Sequence, residues 1–422
     1  MEKTILNFML IVFMTYALIN ILLYFPRIIG WFASLKKQKR IINNQNERIA
    51  VVVPARNESK VIGSLLNSLE KQTYKNYDLY VVVKEENDPT IKIVEDRGGV
   101  CYVCTKQTCK GEALDYGFKK IINQKNKNYA GLVIVDADCI LDEHFLEEMN
   151  NSLASGRKVF QARRIVKNYF YGNKNISTFV SSANGLIWTM MDEMGNRYKS
   201  EKNITQMTIG TGIMLRMDLV KELRGWPYKK TVTEDMEFMY DCSLKNIEIY
   251  YNSYCKIYVE EAPSLIMTNK RRTRWLKGLI DSNHIYSSKM DDKKSKITFK
   301  NKYYVNCLWF VFRYIGSMTV FSIANIVYYF YLRMINSTYM NIALMYSILG
   351  FLIIFMSFFI LTLVCLIIDR KNIKLSFMKK VLLLFYHPFF YMGYIPIISK
   401  ALVTKVSNKW DAIDRIEVKE NA

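Results

Sequence analysis

Two carboxylates, Asp136 and Asp138, follow directly on the apolar segment 131–135. A buried strand that presents two carboxylates at its exposed end can hold a divalent cation, because Mg²⁺ prefers oxygen ligands. Such a cation can neutralise the diphosphate of a nucleotide-activated substrate. The Asp-x-Asp pattern also occurs in ordinary strand-to-loop junctions, so its meaning depends on three further segments. These are Lys110, the sequence Thr-Glu-Asp at 233–235 and the sequence Arg-Arg-Thr-Arg-Trp at 271–275.

The elements that must position these side chains alternate between strands and helices. Continuous apolar runs at 49–53, 79–83 and 131–135 predict parallel strands that are buried on both faces. Segments with helical spacing separate them, which predicts a doubly wound α/β domain. Ligands of such sheets bind beyond the carboxyl ends of the strands, although each residue there is explained equally well as a turn residue. Four residues lie at those ends: Pro54, Glu85, Asp88 and Asp136.

Half of the 422 residues are hydrophobic and 23% are charged, and the two kinds are segregated along the chain. The run 5–24 has about the 20 residues needed to cross a bilayer and lacks a cleavage signal, which predicts a retained anchor. Three more apolar runs, at 309–332, 342–368 and 381–398, predict further spans. The predicted organisation is an anchor at 1–34, a soluble domain at 48–285, a basic interfacial linker at 286–302, a C-terminal transmembrane region of about three helices at 303–400 and a basic tail at 401–422.

The basic residues that flank the apolar runs predict the orientation. They cluster at 36–40, 293–302 and 370–380, whereas the loop 333–341 carries one basic residue. The soluble domain is therefore expected to face the cytoplasm from the cell membrane as part of a multi-pass protein, with membrane lipid as a partner. Two prolines, Pro388 and Pro396, interrupt the last run, because proline breaks helical hydrogen bonding. The sequence leaves open whether this run fully crosses the bilayer.

The formal net charge of +21 raises the question of nucleic-acid binding. Many of the positive charges flank the apolar runs, where they face anionic lipid headgroups. The aromatic residues are not interleaved with them as a base-stacking platform requires. Nucleic acid is therefore not an expected partner. The eight cysteines follow no paired framework, which suits a reducing compartment.

An ordered set of short motifs resembles the processive family 2 glycosyltransferases with a GT-A fold, the group that includes the cellulose, hyaluronan and poly-N-acetylglucosamine synthases. The motifs lie at 51–58 (VVVPARNE), 110–114 (KGEAL), 136–138 (DAD), 210–212 (GTG), 225–227 (GWP), 233–235 (TED) and 271–275 (RRTRW). Each is short, but the ordered set is specific and covers the whole soluble domain with its flanking spans. The resemblance implies an α/β GT-A domain of the nucleotide-diphospho-sugar transferase type, joined to α-helical transmembrane segments.

The resemblance also implies a donor site. It assigns the nucleoside to Pro54, Ala55 and Glu58. In many relatives the second strand ends in an Asp-rich segment that meets uracil, and this chain has Lys-Glu-Glu-Asn-Asp at 84–88 instead. Glu85 or Glu86 is therefore expected to take that role, with Asp88 assisting. Lys110 is implied to approach the donor and balance phosphate charge, whereas a solvated lysine at a helix start is its plainer interpretation.

By the same resemblance, Asp138 ligates Mg²⁺ or Mn²⁺ and Asp136 contacts the nucleotide. The cation would stabilise the departing nucleoside diphosphate. Asp235 is implied to be the general base that takes a proton from the acceptor hydroxyl. One displacement with one base inverts the anomeric centre, so an α-linked donor gives a β-linked product. In isolation, 233–235 is also a common helix start with acids in the first turn.

The acceptor motif departs from the family pattern Gln-x-x-Arg-Trp, because Arg271 stands where glutamine is expected. Arg274 is implied to contact the diphosphate, since its planar fork matches phosphate oxygens. Trp275 is implied to form a platform for the acceptor sugar. The remaining implied acceptor residues are Thr233, Glu234 and Gly212. A juxtamembrane basic cluster is the plainer explanation of 271–274.

The sequence thus predicts a membrane-embedded, inverting polysaccharide synthase. It would transfer sugar from a UDP-sugar to the growing end of a β-linked polysaccharide and secrete the chain through its own spans. UDP-glucose, which gives a β-glucan, is favoured over UDP-N-acetylglucosamine, and accessory export subunits are left open. Two alternatives remain: a non-processive transferase that adds one sugar to a membrane lipid, and a transporter or scaffold with a degenerate domain. The last would leave the polar motifs unexplained.

Overall fold

The computed structural model describes residues 1–124, 126–169, 178–373 and 375–403, so the predicted tail from residue 404 onward lies outside the described residues. Within these ranges the soluble part is built on one mixed sheet. Its strands are β1 (Ile49–Pro54), β2 (Tyr77–Val83), β3 (Val100–Val103), β4 (Gly131–Ile134), β5 (Ile140–Leu141), β6 (Val159–Val166), β7 (Ile213–Arg216) and β8 (Ile249–Val259). They lie side by side in the order β3-β2-β1-β4-β7-β6-β8-β5.

The first half of the sheet is parallel, as the apolar runs predict: β1 pairs in parallel with β2 and β4, and β2 with β3. The second half is not wholly parallel, because β7 runs antiparallel to both β4 and β6, and β5 antiparallel to β8. The reason lies in the loop before β7. There the N–H of Gly212 donates to the carbonyl of Ile134 at 2.9 Å, so β7 starts beside the end of β4. This reversal brings the loop 208–212 to the edge of the sheet where Asp136 lies.

Helices cover both faces of the sheet and continue into the apolar region. They are α1 (Glu2–Ala33), α2 (Ile62–Glu70), α3 (Thr90–Glu95), α4 (Lys110–Ile122), α5 (Phe145–Leu153), α6 (Phe179–Met191), α7 (Arg197–Glu201), α8 (Met217–Glu222), α9 (Glu234–Leu244), α10 (Leu265–Asp291), α11 (Phe299–Met334), α12 (Met340–Ile368), α13 (Phe377–Met392) and α14 (Tyr394–Val403), with a 3₁₀ turn at Lys167–Tyr169 and a π turn at Asp192–Asn196. Alternate residues of β1 enter opposite cores: Val51 and Val53 pack on the side of α2 and α5, and Val52 on the side of α4. This two-sided burial explains why the strand reads as an uninterrupted apolar run.

Four helical segments are long and apolar enough to cross a membrane among the described residues. They are Glu2–Ala33, Phe312–Met334, Met340–Ile368 and Phe377–Val403. The last of these is two helices, α13 and α14, which meet at Gly393. Ile397 and Ala401 of α14 pack with Leu276 and Leu279 of α10, so α14 lies against the soluble domain.

Polar contacts also join the sheet to the end of α12. Asp369 forms an ion pair with Arg163 of β6. It also accepts a hydrogen bond from the hydroxyl of Thr189 of α6 at 2.6 Å. Asp369 and Thr189 are buried. The helices therefore have a fixed position relative to the carboxyl ends of the strands.

Candidate active site

The carboxyl ends of the strands, the start of α9 and the middle of α10 enclose one cavity of about 420 Å³. Its wall combines residues of the soluble domain with residues of α1, α11, α13 and α14. Among the residues predicted for the site, those that line it are Pro54, Glu58, Lys110, Asp136, Asp138, Thr233, Glu234, Asp235, Arg271, Arg274 and Trp275. Residues scattered over more than 200 positions of the sequence thus meet around one space.

Lys110, the first residue of α4, lies among carboxylates. Its Nζ is 2.6 Å from Asp136 Oδ1 and 3.4 Å from Glu234 Oε1. It also donates to the carbonyl oxygen of Gly210 at 2.8 Å. Burial alone lowers the pKa of Lys110, but Asp136 and Glu234 outweigh burial, so that the pKa is raised. The ammonium group therefore stays charged and offsets part of the negative charge at this end of the cavity.

Asp235 lies in the first turn of α9 and is held by backbone amides. Its Oδ2 accepts the N–H of Gly210 at 2.8 Å, and its Oδ1 accepts the N–H of Met236 at 2.9 Å. Burial raises the pKa of Asp235, although Lys110 and the two amides oppose the shift. A carboxylate that is fixed in orientation and has an increased affinity for a proton suits general-base chemistry.

Thr233 precedes α9 at the N-cap position, but its side chain makes no capping hydrogen bond. The helix start predicted at 233–235 is confirmed, and the Thr233 hydroxyl does not cap it. Instead, the Thr233 side chain packs against Gly278 of α10, where an added Cβ would lie 2.2 Å from Thr233 Oγ1. The glycine therefore allows α10 to approach the start of α9 closely.

A divalent cation fits the acidic end of the cavity. Burial raises the pKa of Asp136, and Asp138 lies two residues further on beyond the end of β4. No group of three or more His, Cys, Asp or Glu side chains with metal-binding geometry occurs in the described ranges. Mg²⁺ is commonly held by only one or two carboxylates together with substrate phosphates. The donor set therefore fits a cation that binds jointly with a diphosphate.

Trp275 lines the cavity together with Arg271 and Arg272 of α10. The guanidinium of Arg272 lies 4.4 Å from the centre of the Trp275 ring, and that of Arg271 lies 5.3 Å from it. Arg271 donates to the carbonyl oxygen of Glu260 at 2.9 Å, and Arg272 to Asn184 Oδ1 at 3.0 Å. Both guanidinium groups are thus held in place beside the ring.

Arg274 differs from its neighbours, because no carboxylate of the described residues lies within ion-pair distance of it. Burial and the nearby Arg271 lower the pKa of Arg274. The group is half-buried, lines the cavity and would gain from an anionic ligand.

Four predicted site residues do not line the cavity. Ala55 is buried beyond the end of β1, and Gly212 is buried with φ +66°, where an added Cβ would lie 3.0 Å from that of Ala162. Glu85 and Glu86 are exposed in the turn after β2. Asp88 of the same turn is buried and accepts the N–H of Thr90 at 2.9 Å.

Sequence reasoning missed the membrane-side wall of the cavity. The residues concerned are Arg27 of α1, Phe312 and Ile315 of α11, Tyr391 of α13 and Tyr394 of α14. The one local signal is Arg27 itself, a charge next to Pro26 at the end of an apolar run. The packing of helices that are distant in sequence determines the rest.

An Asp-x-Asp pair at the end of a central strand and a carboxylate at a helix start line the same cavity, which is the arrangement that the resemblance implies for a glycosyltransferase domain. The model of the family described as "Glycosyltransferase like family 2" matches residues 46–278, more than half of the chain. The chain belongs to this family. The predicted membership of family 2 is therefore confirmed, while the processive subtype stays a prediction.

Two comparisons with individual proteins complete this assignment. A mannosyltransferase from Pyrobaculum calidifontis, solved in complex with GDP-Man and Mn²⁺, has a TM-score of 0.57 at 15% identity, over 94% of this chain and 98% of its own. The likeness shows the fold and confirms the predicted GT-A class with helices at both ends. An uncharacterized protein of Methanocaldococcus jannaschii is 37% identical over 105 residues, which are 25% of this chain and 41% of that protein.

Proposed function

We propose that this protein is a membrane-embedded, metal-dependent, inverting glycosyltransferase. It takes a sugar from a nucleoside diphosphate donor and passes it to an acceptor that enters the cavity from the membrane side. One observation carries this proposal: the acidic strand end at Asp136, the carboxylate of Asp235 and the membrane-helix residue Tyr391 share a single cavity.

The donor is held at the acidic end. Pro54 and Glu58 receive the nucleoside, and Asp136 and Asp138 face the diphosphate. A bound Mg²⁺ or Mn²⁺ supplies Lewis-acid stabilisation of the negative charge on the leaving diphosphate. Lys110 contributes a second positive charge. It pairs with Asp136 and Glu234 in the structure, and a donor phosphate would compete with these carboxylates for it.

Asp235 acts on the acceptor. It takes the proton of the attacking hydroxyl while the new bond to the anomeric carbon forms and the bond to the diphosphate oxygen breaks. Arg274 stabilises the negative charge that develops on the diphosphate, as a half-buried guanidinium without a carboxylate partner among the described residues can do. Attack from the side opposite the leaving group inverts the anomeric centre.

The nucleotide sugar that acts as donor is predicted from the sequence. UDP-glucose, followed by UDP-N-acetylglucosamine, remains our prediction from the sequence. The exposure of Glu85 and Glu86 leaves the expected uracil contact without support from the cavity wall. GDP-mannose therefore joins the donors to be tested, because the Pyrobaculum enzyme with the same fold carries GDP-Man.

The packing of the spans bears on the acceptor. The rings of Phe13 and Phe321 stack with their centres 3.9 Å apart, and those of Phe358 and Tyr391 with their centres 4.4 Å apart. These side chains fill the helix bundle next to Ile315, which lines the cavity. Filled packing favours a membrane lipid as acceptor, since a growing polysaccharide would need an exit through the bundle. Polymer synthesis with secretion remains the second candidate.

The test is transfer by purified protein in lipid nanodiscs with each radiolabelled donor and with Mg²⁺ or Mn²⁺. We expect label in a solvent-extractable lipid that carries one added sugar. Label in a non-extractable polymer that linkage-specific hydrolases digest would replace the lipid acceptor by the polysaccharide. The absence of transfer from UDP-glucose, UDP-N-acetylglucosamine and GDP-mannose, in the presence of a total lipid extract, would refute the proposed function.

A further inference from the structure

Lys167, the residue that follows β6, is buried beside the turn that carries Asp138. It is 6% exposed and is not among the described residues that line the cavity. Its Nζ donates to the main-chain carbonyl oxygen of Asp138 at 3.2 Å and lies 3.0 Å from Glu260 Oε2. A lysine that belongs to none of the sequence motifs therefore contacts the predicted metal-binding turn.

Glu260 links this lysine to α10. It follows β8 directly and lines the cavity. Its carboxylate pairs with Lys167, while its carbonyl oxygen accepts a hydrogen bond from Arg271 Nη1 at 2.9 Å. A continuous chain of polar contacts thus runs from Asp138 to Arg271. It joins the turn at the acidic end of the cavity to the helix that carries Trp275.

The contact from Lys167 completes the fixing of the turn. The N–H of Asp136 donates to Thr211 Oγ1 at 3.0 Å, and the N–H of Cys139 donates to the carbonyl oxygen of Asp136 at 3.1 Å. The peptide that joins Asp138 to Cys139 is planar, and it is held on its N–H by Asp136 and on its carbonyl by Lys167. Because the backbone conformation restricts the side-chain rotamer, this peptide also constrains where the Asp138 carboxylate points.

The pair of Lys167 and Glu260 contributes more to geometry than to stability. The two side chains are 8% and 19% exposed. Removal of two charges from water offsets most of their attraction, so the replacement of such pairs by apolar side chains is often neutral. A lysine ammonium has three N–H donors, and the acceptors of two of them lie after different strands, β4 and β8. The lysine thereby fixes these two strand ends relative to each other.

We propose that Lys167 is a positioning residue that presents Asp138 to the divalent cation, with Glu260 as its anchor. This inference rests on the proposed function and deepens it, because the cation is the one that binds jointly with the donor diphosphate. Loss of a residue that orients a metal ligand typically weakens metal binding by about 10–100-fold. The arginine that replaces the family's glutamine also gains a physical role, since Arg271 secures Glu260 on α10.

Positioning and charge alone predict opposite effects on cation binding. Lys167 places a positive charge close to the cation site, so its removal should tighten cation binding if only charge matters. If Lys167 positions Asp138, its removal should weaken binding. Glu260→Gln gives the reverse comparison. It removes a negative charge, which weakens binding on charge alone, but it keeps a side-chain oxygen that can accept a hydrogen bond from Lys167.

The experiment measures Mn²⁺ binding to purified protein in detergent through the EPR signal of free Mn²⁺. Titrations are made with saturating UDP and, separately, with saturating GDP. We expect Lys167→Met to weaken Mn²⁺ binding about tenfold or more. Lys167→Arg should restore most of the affinity, because it keeps the charge and the N–H donors. Glu260→Gln should bind Mn²⁺ much as the wild type does.

Lys127→Met is the matched control, with thermal unfolding measured on every variant. Lys127 Nζ lies 2.8 Å from Asp78 Oδ1, and Asp78 is at the amino end of β2, on the far edge of the sheet from Asp138. The control should keep the wild-type affinity for Mn²⁺, whatever its effect on the unfolding temperature. If Lys167→Met does not fold, Lys167→Gln decides by the same criterion. Wild-type or tighter Mn²⁺ binding on loss of Lys167 would overturn the inference, and so would an equal loss of affinity in Lys127→Met.

The inference and the proposed function fail separately. Asp235→Asn should lose sugar transfer and keep the wild-type affinity for Mn²⁺. Equal Mn²⁺ affinities in the wild type and Lys167→Met, with metal-dependent transfer intact, would reject the positioning role and leave the glycosyltransferase proposal standing. A wild-type protein that binds no Mn²⁺ with either nucleotide would reject the cation itself, and the inference with it.

Discussion

Replacement of Asp235 by asparagine tests the proposed base most directly. The change keeps the volume of the side chain and removes its ability to accept a proton. In the structure each carboxylate oxygen accepts one backbone N–H, from Gly210 at 2.8 Å and from Met236 at 2.9 Å. Asparagine has one acceptor oxygen, so its NH₂ group must face the second N–H. The lost hydrogen bond costs about 1–3 kcal/mol of stability, which the removal of a buried carboxylate partly offsets.

The effect on catalysis should be larger than the effect on folding. A positioned general base contributes about 10²–10⁴-fold to the rate, which corresponds to about 3–5 kcal/mol of transition-state stabilisation. We expect kcat of Asp235→Asn to fall by this factor, with little change in the KM of the donor. The wild-type kcat should also fall as the pH is lowered through the pKa of Asp235, which burial raises above the ordinary aspartate range. The variant should lack this limb of the pH profile.

The assay is the initial rate of label transfer from donor to acceptor, with thermal unfolding measured on the same preparations. Asp241→Asn is the control, because Asp241 lies on the same helix but bonds Tyr228 and Lys245 away from the cavity. It should keep the wild-type kcat. A wild-type kcat in Asp235→Asn would refute the base assignment. Equal losses of kcat in Asp235→Asn and Asp241→Asn would show that a disturbed helix α9, and not the missing base, causes the loss.

The remaining predictions concern packing, charge and metal. Arg164→Met leaves the fully buried carboxylate of Asp192 without its partner and should lower the free energy of unfolding by about 3–5 kcal/mol. Arg216→Met breaks an exposed pair with Asp218 and should change the free energy of unfolding by about 1 kcal/mol or less. Equal unfolding midpoints in the two variants would contradict this prediction. Gly278→Ala should reduce kcat, because the new Cβ would lie 2.2 Å from the hydroxyl of Thr233, which precedes α9. Gly63→Ala, which has open space around its Cβ, should keep the wild-type kcat. Equal rates in the two variants would argue against a close approach of α10 to the start of α9. Removal of divalent cations with EDTA should stop sugar transfer, and added Mn²⁺ or Mg²⁺ should restore it. Asp138→Asn should need a higher metal concentration for half-maximal transfer. Transfer in excess EDTA would exclude metal dependence.

The strands of the first half of the sheet could be predicted because their signal is local. Burial on both faces produces a continuous apolar run, and β1 and β2 read in this way. The direction of β7 has no such signal. It follows from where the preceding loop bonds, and the partner carbonyl, that of Ile134, lies almost 80 residues earlier in the chain.

The acidic turn after β2 shows a second limit of sequence reasoning. Three acids, Glu85, Glu86 and Asp88, occur within four positions, and the sequence does not say which turns inward. The start of α3 decides this. Asp88 accepts the N–H of Thr90 at 2.9 Å and that of Asn57 at 3.3 Å, which leaves the two glutamates outside. Hydrogen bonds made by Asp88 thus determine which of the three acids is buried, and the nucleoside contact of Glu85 or Glu86 stays a prediction.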